Sequence, residues 1–192
     1  MVNNYTKLPD GYKEIESIDL QKDHKIAGIV NGISLLIGVI MIFIGNTIVP
    51  ILDFYIECSL LEWFMIILGI IVYIFLHEWV HGICMRYYSK QKPFYGFTGL
   101  YAYAGSHCYF NKKDYIVIAL APIVVWGIVL LIANIVFQYH YFWIIYFIQI
   151  MNVSGAAGDL YISYRFSKLP EDILIKDIGV SMTIYTKERV QK

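Results

Sequence analysis

Fourteen consecutive residues, Trp63 to Leu76 (WFMIILGIIVYIFL), carry no charged side chain and no strongly polar one except the Tyr73 hydroxyl. As a helix they cover only about 21 Å, short of a hydrocarbon core of about 30 Å. A membrane span that begins here must run on through HEWVHGICM to about Met85. It carries His77, Glu78 and His81 into the membrane or to its border, where ionisable groups are costly and usually functional.

Those three residues form H-E-x-x-H. On a helix, His77 and His81 lie about 40° apart in projection and one turn apart along the axis, so both imidazoles can face one cation. Glu78 is turned about 100° from His77, beside the cation rather than on it. There it can take a proton from a water held at the metal. Two His ligands with a Glu base between them predict Zn2+ as cofactor and hydrolysis as chemistry. The bland alternative is a set of ordinary polar residues at a helix end.

The chain is 58% hydrophobic and 16% charged over 192 residues, which points to an integral membrane protein and makes the bilayer its first partner. Its formal charge is zero, and no basic patch interleaves with aromatics, so no nucleic-acid partner is expected. Cys58, Cys84 and Cys108 show no C-x-x-C spacing, and no disulfide framework is expected. His107 beside Cys108 raises a Cys nucleophile, but neighbouring strand residues point to opposite faces.

Other apolar runs share the pattern. Ile26 to Ile51 reads as a first span ending near Pro50, Trp63 to Met85 as the second, Tyr115 to Phe137 as the third and Phe142 to Tyr164 as the fourth. Asn31 and Ser34 suit helix packing. Residues 53–62 and 138–141 read as short loops. Residues 1–25 form a polar lead-in with a turn at Pro9-Asp10-Gly11, and not a cleavable signal. The connection 86–113 holds Tyr95, Phe97, Tyr101 and Tyr103 at a period of two, with a turn offered by Gly105-Ser106; it predicts one or two short interfacial strands. In the tail from Arg165, the alternation of Ile173, Ile175, Val180, Met182 and Ile184 allows a strand or hairpin. Gly82, directly after the motif, allows close approach of another backbone.

All 15 Lys and Arg fall in the lead-in, in 86–113, or at and beyond Arg165. By the positive-inside rule both termini are then cytoplasmic, and the second and fourth spans run in the same direction. His77 lies about 14 residues into its span and Asp159 about 17 into its own, a depth difference within about 5 Å. Asp159 is the one unexplained acid at membrane depth, and a zinc site needs a third protein ligand. Asp159 is the candidate. An ordinary partner for it would be Arg165, at the end of the same helix.

The strings HEWVHGICM, ALAPIVV (119–125) and NVSGAAGD (152–159) resemble the small bacterial membrane proteins described as zincin peptidases, the domain family of unknown function numbered 3267 (DUF3267). More distantly the pattern resembles the site-2 protease class of intramembrane zinc metalloproteases. The resemblance covers about residues 60 to 185. It implies His77, His81 and Asp159 as metal ligands, Glu78 as catalytic base, and a supporting role for Asn152. Leu160 follows Asp159 where site-2 proteases have Gly, and the stretch has no proline.

These readings predict an all-α polytopic membrane protein with four transmembrane helices and a short β segment in 86–113. The organisation is a lead-in (1–25), a transmembrane zincin-like domain (26–164) and a cytoplasmic tail (165–192). The expected activity is cleavage of a membrane-protein or peptide substrate in or near a bacterial plasma membrane. A non-enzymatic membrane protein with a structural metal site or an ion path would use the same three ligands. Glu78 favours the enzyme, because a structural site needs no acid between its ligands.

Overall fold

The structure, a computed structural model, describes residues 3–19, 22–99 and 101–188, with backbone alone at 138–140. Its elements run β1 (Tyr12–Asp19), α1 (His24–Ile48), α2 (Ile51–Glu57), α3 (Leu60–Ser89), β2 (Phe94–Phe97), β3 (Ala102–Gly105), β4 (Tyr109–Asn111), α4 (Lys112–Gly155), α5 (Ala157–Ser167), β5 (Leu174–Asp177) and β6 (Ser181–Lys187). The all-α expectation is therefore wrong. β1, β6, β5 and β4 form one antiparallel sheet, and β2 with β3 forms a hairpin.

The expectation of four spans is also corrected. Among the described residues, three helices are long and apolar enough to cross a membrane: α1, α3 and the Lys112–Phe137 part of α4. No separate helix spans Phe142 to Tyr164. That stretch continues α4 to Gly155, breaks at Ala156, and resumes as the 11-residue α5. Gly155 and Gly158 flank the break, and glycine weakens a helix by about 1 kcal/mol relative to alanine. The loop expected at 138–141 has a helical backbone within α4; the side chains of 138–140 lie outside the described residues.

The chain forms two compact units. The helical unit contains residues 29–77 and 122–158. Here Asn152 Nδ2 donates to the Ile123 carbonyl at 3.2 Å. A straight helix would hold residues 29 apart by about 44 Å, so α4 doubles back on itself. Val49, Phe142, Trp143 and Tyr146 form its core, with Trp143 Nε1 donating to the Val49 carbonyl at 3.1 Å and Tyr146 Oη to the Met41 carbonyl at 2.9 Å. The 53–62 loop is shorter than expected. α2 occupies its first half, and α3 starts at Leu60 because Ser59 and Glu62 form a reciprocal capping box.

The sheet-bearing unit contains residues 1–28, 78–121 and 159–192. Phe110, Ile175 and Ile184 from the sheet, with Ile173 just before β5, pack with Met85, Ile118, Ile162 and Phe166 from the helices. The lead-in supplies β1, whose Tyr12 pairs with Lys187 near the other end of the chain. The expected turn is present, with Tyr12 N–H donating to the Pro9 carbonyl and Gly11 at φ +78°. In the hairpin the turn falls at Thr98–Tyr101, not at Gly105-Ser106; Thr98 N–H donates to the Tyr101 carbonyl at 2.9 Å and Gly99 supplies the positive φ. The tail alternation becomes the β5–β6 hairpin.

Candidate metal centre

α3 is unbroken through the motif, so His77 and His81 sit one turn apart on one helix. His81 is buried, 8% exposed. Its Nδ1 lies 2.9 Å from the carbonyl of Ile118. That carbonyl is available because its helical donor would be the N–H of residue 122, and Pro122 has none. A carbonyl only accepts, so Nδ1 of His81 carries a proton, and in the neutral ring the lone pair is on Nε2. Nε2 lies 3.6 Å from Asp159 Oδ2, on the first turn of α5.

His77, partly buried, completes the group: ligand atoms of His77, His81 and Asp159 all lie within 4.8 Å of one another. Two imidazoles and a carboxylate are a zinc donor set, and tetrahedral ligands of one zinc stand about 3.4 Å apart, close to the 3.6 Å seen between His81 and Asp159. Three protein donors also leave a fourth position open, as catalytic zinc requires. The residues fit the ion.

Glu78 stands outside this donor group. Its Oε2 accepts the backbone N–H of Ala104 at 2.8 Å, which ties the carboxylate to strand β3. What closes on Gly82 is a side chain and not a backbone: a Cβ there would collide with the Tyr95 hydroxyl. Asn152 is fully buried, accepts from the Tyr73 hydroxyl at 2.9 Å and donates to Ile123. His107 stacks on Phe94 while Cys108 is buried in the core, so no Cys–His pair forms. All three cysteines are free.

The profile of DUF3267, described as "Putative zincin peptidase", matches residues 70–174, just over half of the chain. The chain belongs to that family. Zinc is the cofactor that DUF3267 implies, and zinc metallopeptidase is the activity it suggests. No curated protein and no solved structure matches the chain.

Several partners of the site were missed from sequence. Tyr73 is four residues before His77 and is the lone hydroxyl of its apolar run; Ile118 is four residues before Pro122. Both spacings were readable. Ala104 was not, because its contact with Glu78 depends on where the hairpin lies. Nor was Asp177, whose buried carboxylate accepts from the Tyr115 hydroxyl and the Gly179 N–H, both at 2.7 Å. Burial pushes the Asp177 carboxyl above the usual range, and the Tyr115 hydrogen bond works against that.

Proposed function

We propose that this member of DUF3267 is a membrane-embedded zinc metallopeptidase that hydrolyses a peptide bond in or near the bilayer. His77, His81 and Asp159 would hold the zinc, and Glu78 would be the general base. The observation that carries this reading is the convergence of Asp159, from α5, on the two histidines of one turn of α3. When bound, zinc supplies Lewis acidity toward a carbonyl and a water.

Glu78 does the proton work. Its carboxylate takes a proton from the attacking water as the oxygen adds to the scissile carbonyl carbon. It then delivers that proton to the amide nitrogen as the C–N bond breaks. The Ala104 N–H, bonded to Oε2, restricts the carboxylate to one orientation. A helical substrate has its carbonyls occupied, so it must be locally extended before attack. β3 offers a place for it. Among the described strands β3 pairs with β2 alone, and its other edge lies beside Glu78, which already holds the Ala104 N–H. The substrate class is a membrane protein or membrane-bound peptide.

Pairing of β1 with β6 supports a common side for the two ends of the described chain. The Lys and Arg distribution favours the cytoplasmic side of a plasma membrane.

The test is Glu78→Gln, nearly the same shape but unable to act as a base. Wild type and variant are placed in proteoliposomes with candidate membrane proteins, and zinc content is measured beside product. Both should hold about one zinc per chain. Product should fall at least about a hundredfold in the variant. Equal product with zinc in both would sink the base assignment, and zinc in both without product from wild type would favour a structural site.

A further inference from the structure

His77 is held at Nδ1 by a short chain of polar contacts. The Tyr73 hydroxyl lies 2.7 Å from His77 Nδ1 and 2.9 Å from Asn152 Oδ1, and Asn152 Nδ2 lies 3.2 Å from the Ile123 carbonyl. Each contact constrains the next. The Ile123 carbonyl only accepts, so the amide nitrogen of Asn152 must face it. The amide oxygen therefore faces Tyr73, and it too only accepts. Tyr73 has one hydroxyl proton and gives it to Asn152. The remaining contact can form only if the proton sits on His77 Nδ1. In the neutral ring Nε2 then carries the lone pair, the form in which it could ligate a cation.

We infer that Tyr73 is a positioning residue that, oriented by Asn152, holds His77 in the tautomer with the proton on Nδ1. The inference rests on the zinc-site reading for its purpose but not for its geometry. His81 reaches the same state by a different device, the carbonyl that Pro122 leaves without its helical donor. Groups of this outer kind orient ligands and raise metal affinity. For Tyr73 the arrangement also explains a hydroxyl and a fully buried amide inside a membrane protein, where each must find a partner.

The test uses full-length protein in detergent micelles with ring-15N histidine. Metal-free wild type should show His77, assigned against His77→Gln, with a protonated Nδ1 and a bare Nε2. In Tyr73→Phe that polarisation should be lost, with the Nε2–H form appearing. Zinc affinity, measured by competition with a chelator, should weaken about 10- to 100-fold. Asn152→Leu removes the group that sets the direction and should shift the tautomer the same way; it keeps the test open should Tyr73→Phe misfold. An unchanged His77 tautomer in a folded variant, with zinc affinity within about twofold, overturns the inference. If wild type binds no zinc yet His77 carries its proton on Nδ1, the relay stands and the zinc reading fails.

Discussion

Phe110 in the sheet-bearing unit is fully buried, whereas Phe43 in the helical unit is 71% exposed. The contrast extends to their neighbours. Ile173, Leu174, Ile175 and Ile184 of the first unit are fully buried; Leu35, Ile135 and Val136 of the second are more than half exposed. The sheet-bearing unit hides apolar surface as a water-soluble domain does. The helical unit displays it, as expected where lipid tails are as apolar as leucine and drive no burial. Its cohesion comes instead from close approach, as at Gly45, and from interior hydrogen bonds such as Tyr146 to the Met41 carbonyl. α3 belongs to both, with residues through His77 in one unit and from Glu78 in the other.

The largest expected effect compares those two phenylalanines. Phe110→Ala should cost about 3–5 kcal/mol by denaturant unfolding in micelles, the range for a buried aromatic. Phe43→Ala should stay within about 0.5 kcal/mol, as surface substitutions do. Comparable losses would break the contrast, for Phe43 would then be packed against something more specific than lipid.

What could be read from the sequence divides along the same line. Apolar runs are local, so α1, α3 and the first part of α4 were visible from composition alone. Sheet pairing is not local: Tyr12 meets Lys187, and β4 is three residues long, below the length at which alternation is detectable. The break at Ala156 was hidden because small residues read both as helix-packing surface and as helix breakers. Of the candidate metal centre, the two histidines and Glu78 were singled out by spacing. Asp159 was singled out by depth on a fourth span that the structure does not contain. The structure nevertheless brings its carboxylate to 3.6 Å from His81, through a short separate helix.

A smaller effect probes the second half of the contrast, cohesion by close approach. A Cβ at Gly45 would stand 2.5 Å from the Tyr146 ring and 2.9 Å from that of Trp143, both rigid and buried. Gly45→Ala should therefore cost about 1–3 kcal/mol, the usual range for overpacking. Gly38 is the matched control, because its nearest neighbour, Ser154 Cβ, would lie 4.0 Å away. Gly38→Ala should be neutral or stabilising by up to about 1 kcal/mol through helix propensity. Equal responses from the two glycines would show that backbone approach at Gly45 contributes nothing.

The smallest effect sits at the start of α3. Ser59 Oγ accepts the Glu62 N–H at 3.3 Å, and Glu62 Oε2 returns to the Ser59 N–H at 2.7 Å. Ser59 is exposed and Glu62 is half-buried. The box satisfies two of the backbone donors a helix start leaves open. Ser59→Ala should destabilise by about 1 kcal/mol, and Ser59→Gly by only a few tenths, because glycine lets water reach the freed amides. Zinc content should not change, since α3 is held near His77 by contacts remote from the cap, Tyr73 Oη to Asn152 Oδ1 and Trp126 Nε1 to the Leu76 carbonyl. The measurement is unfolding in micelles with zinc determined on the same samples. Loss of zinc in Ser59→Ala at unchanged fold would mean that fraying at the cap propagates about 18 residues down α3, some 27 Å, and that the helical unit is far less rigid than its interior hydrogen bonds imply.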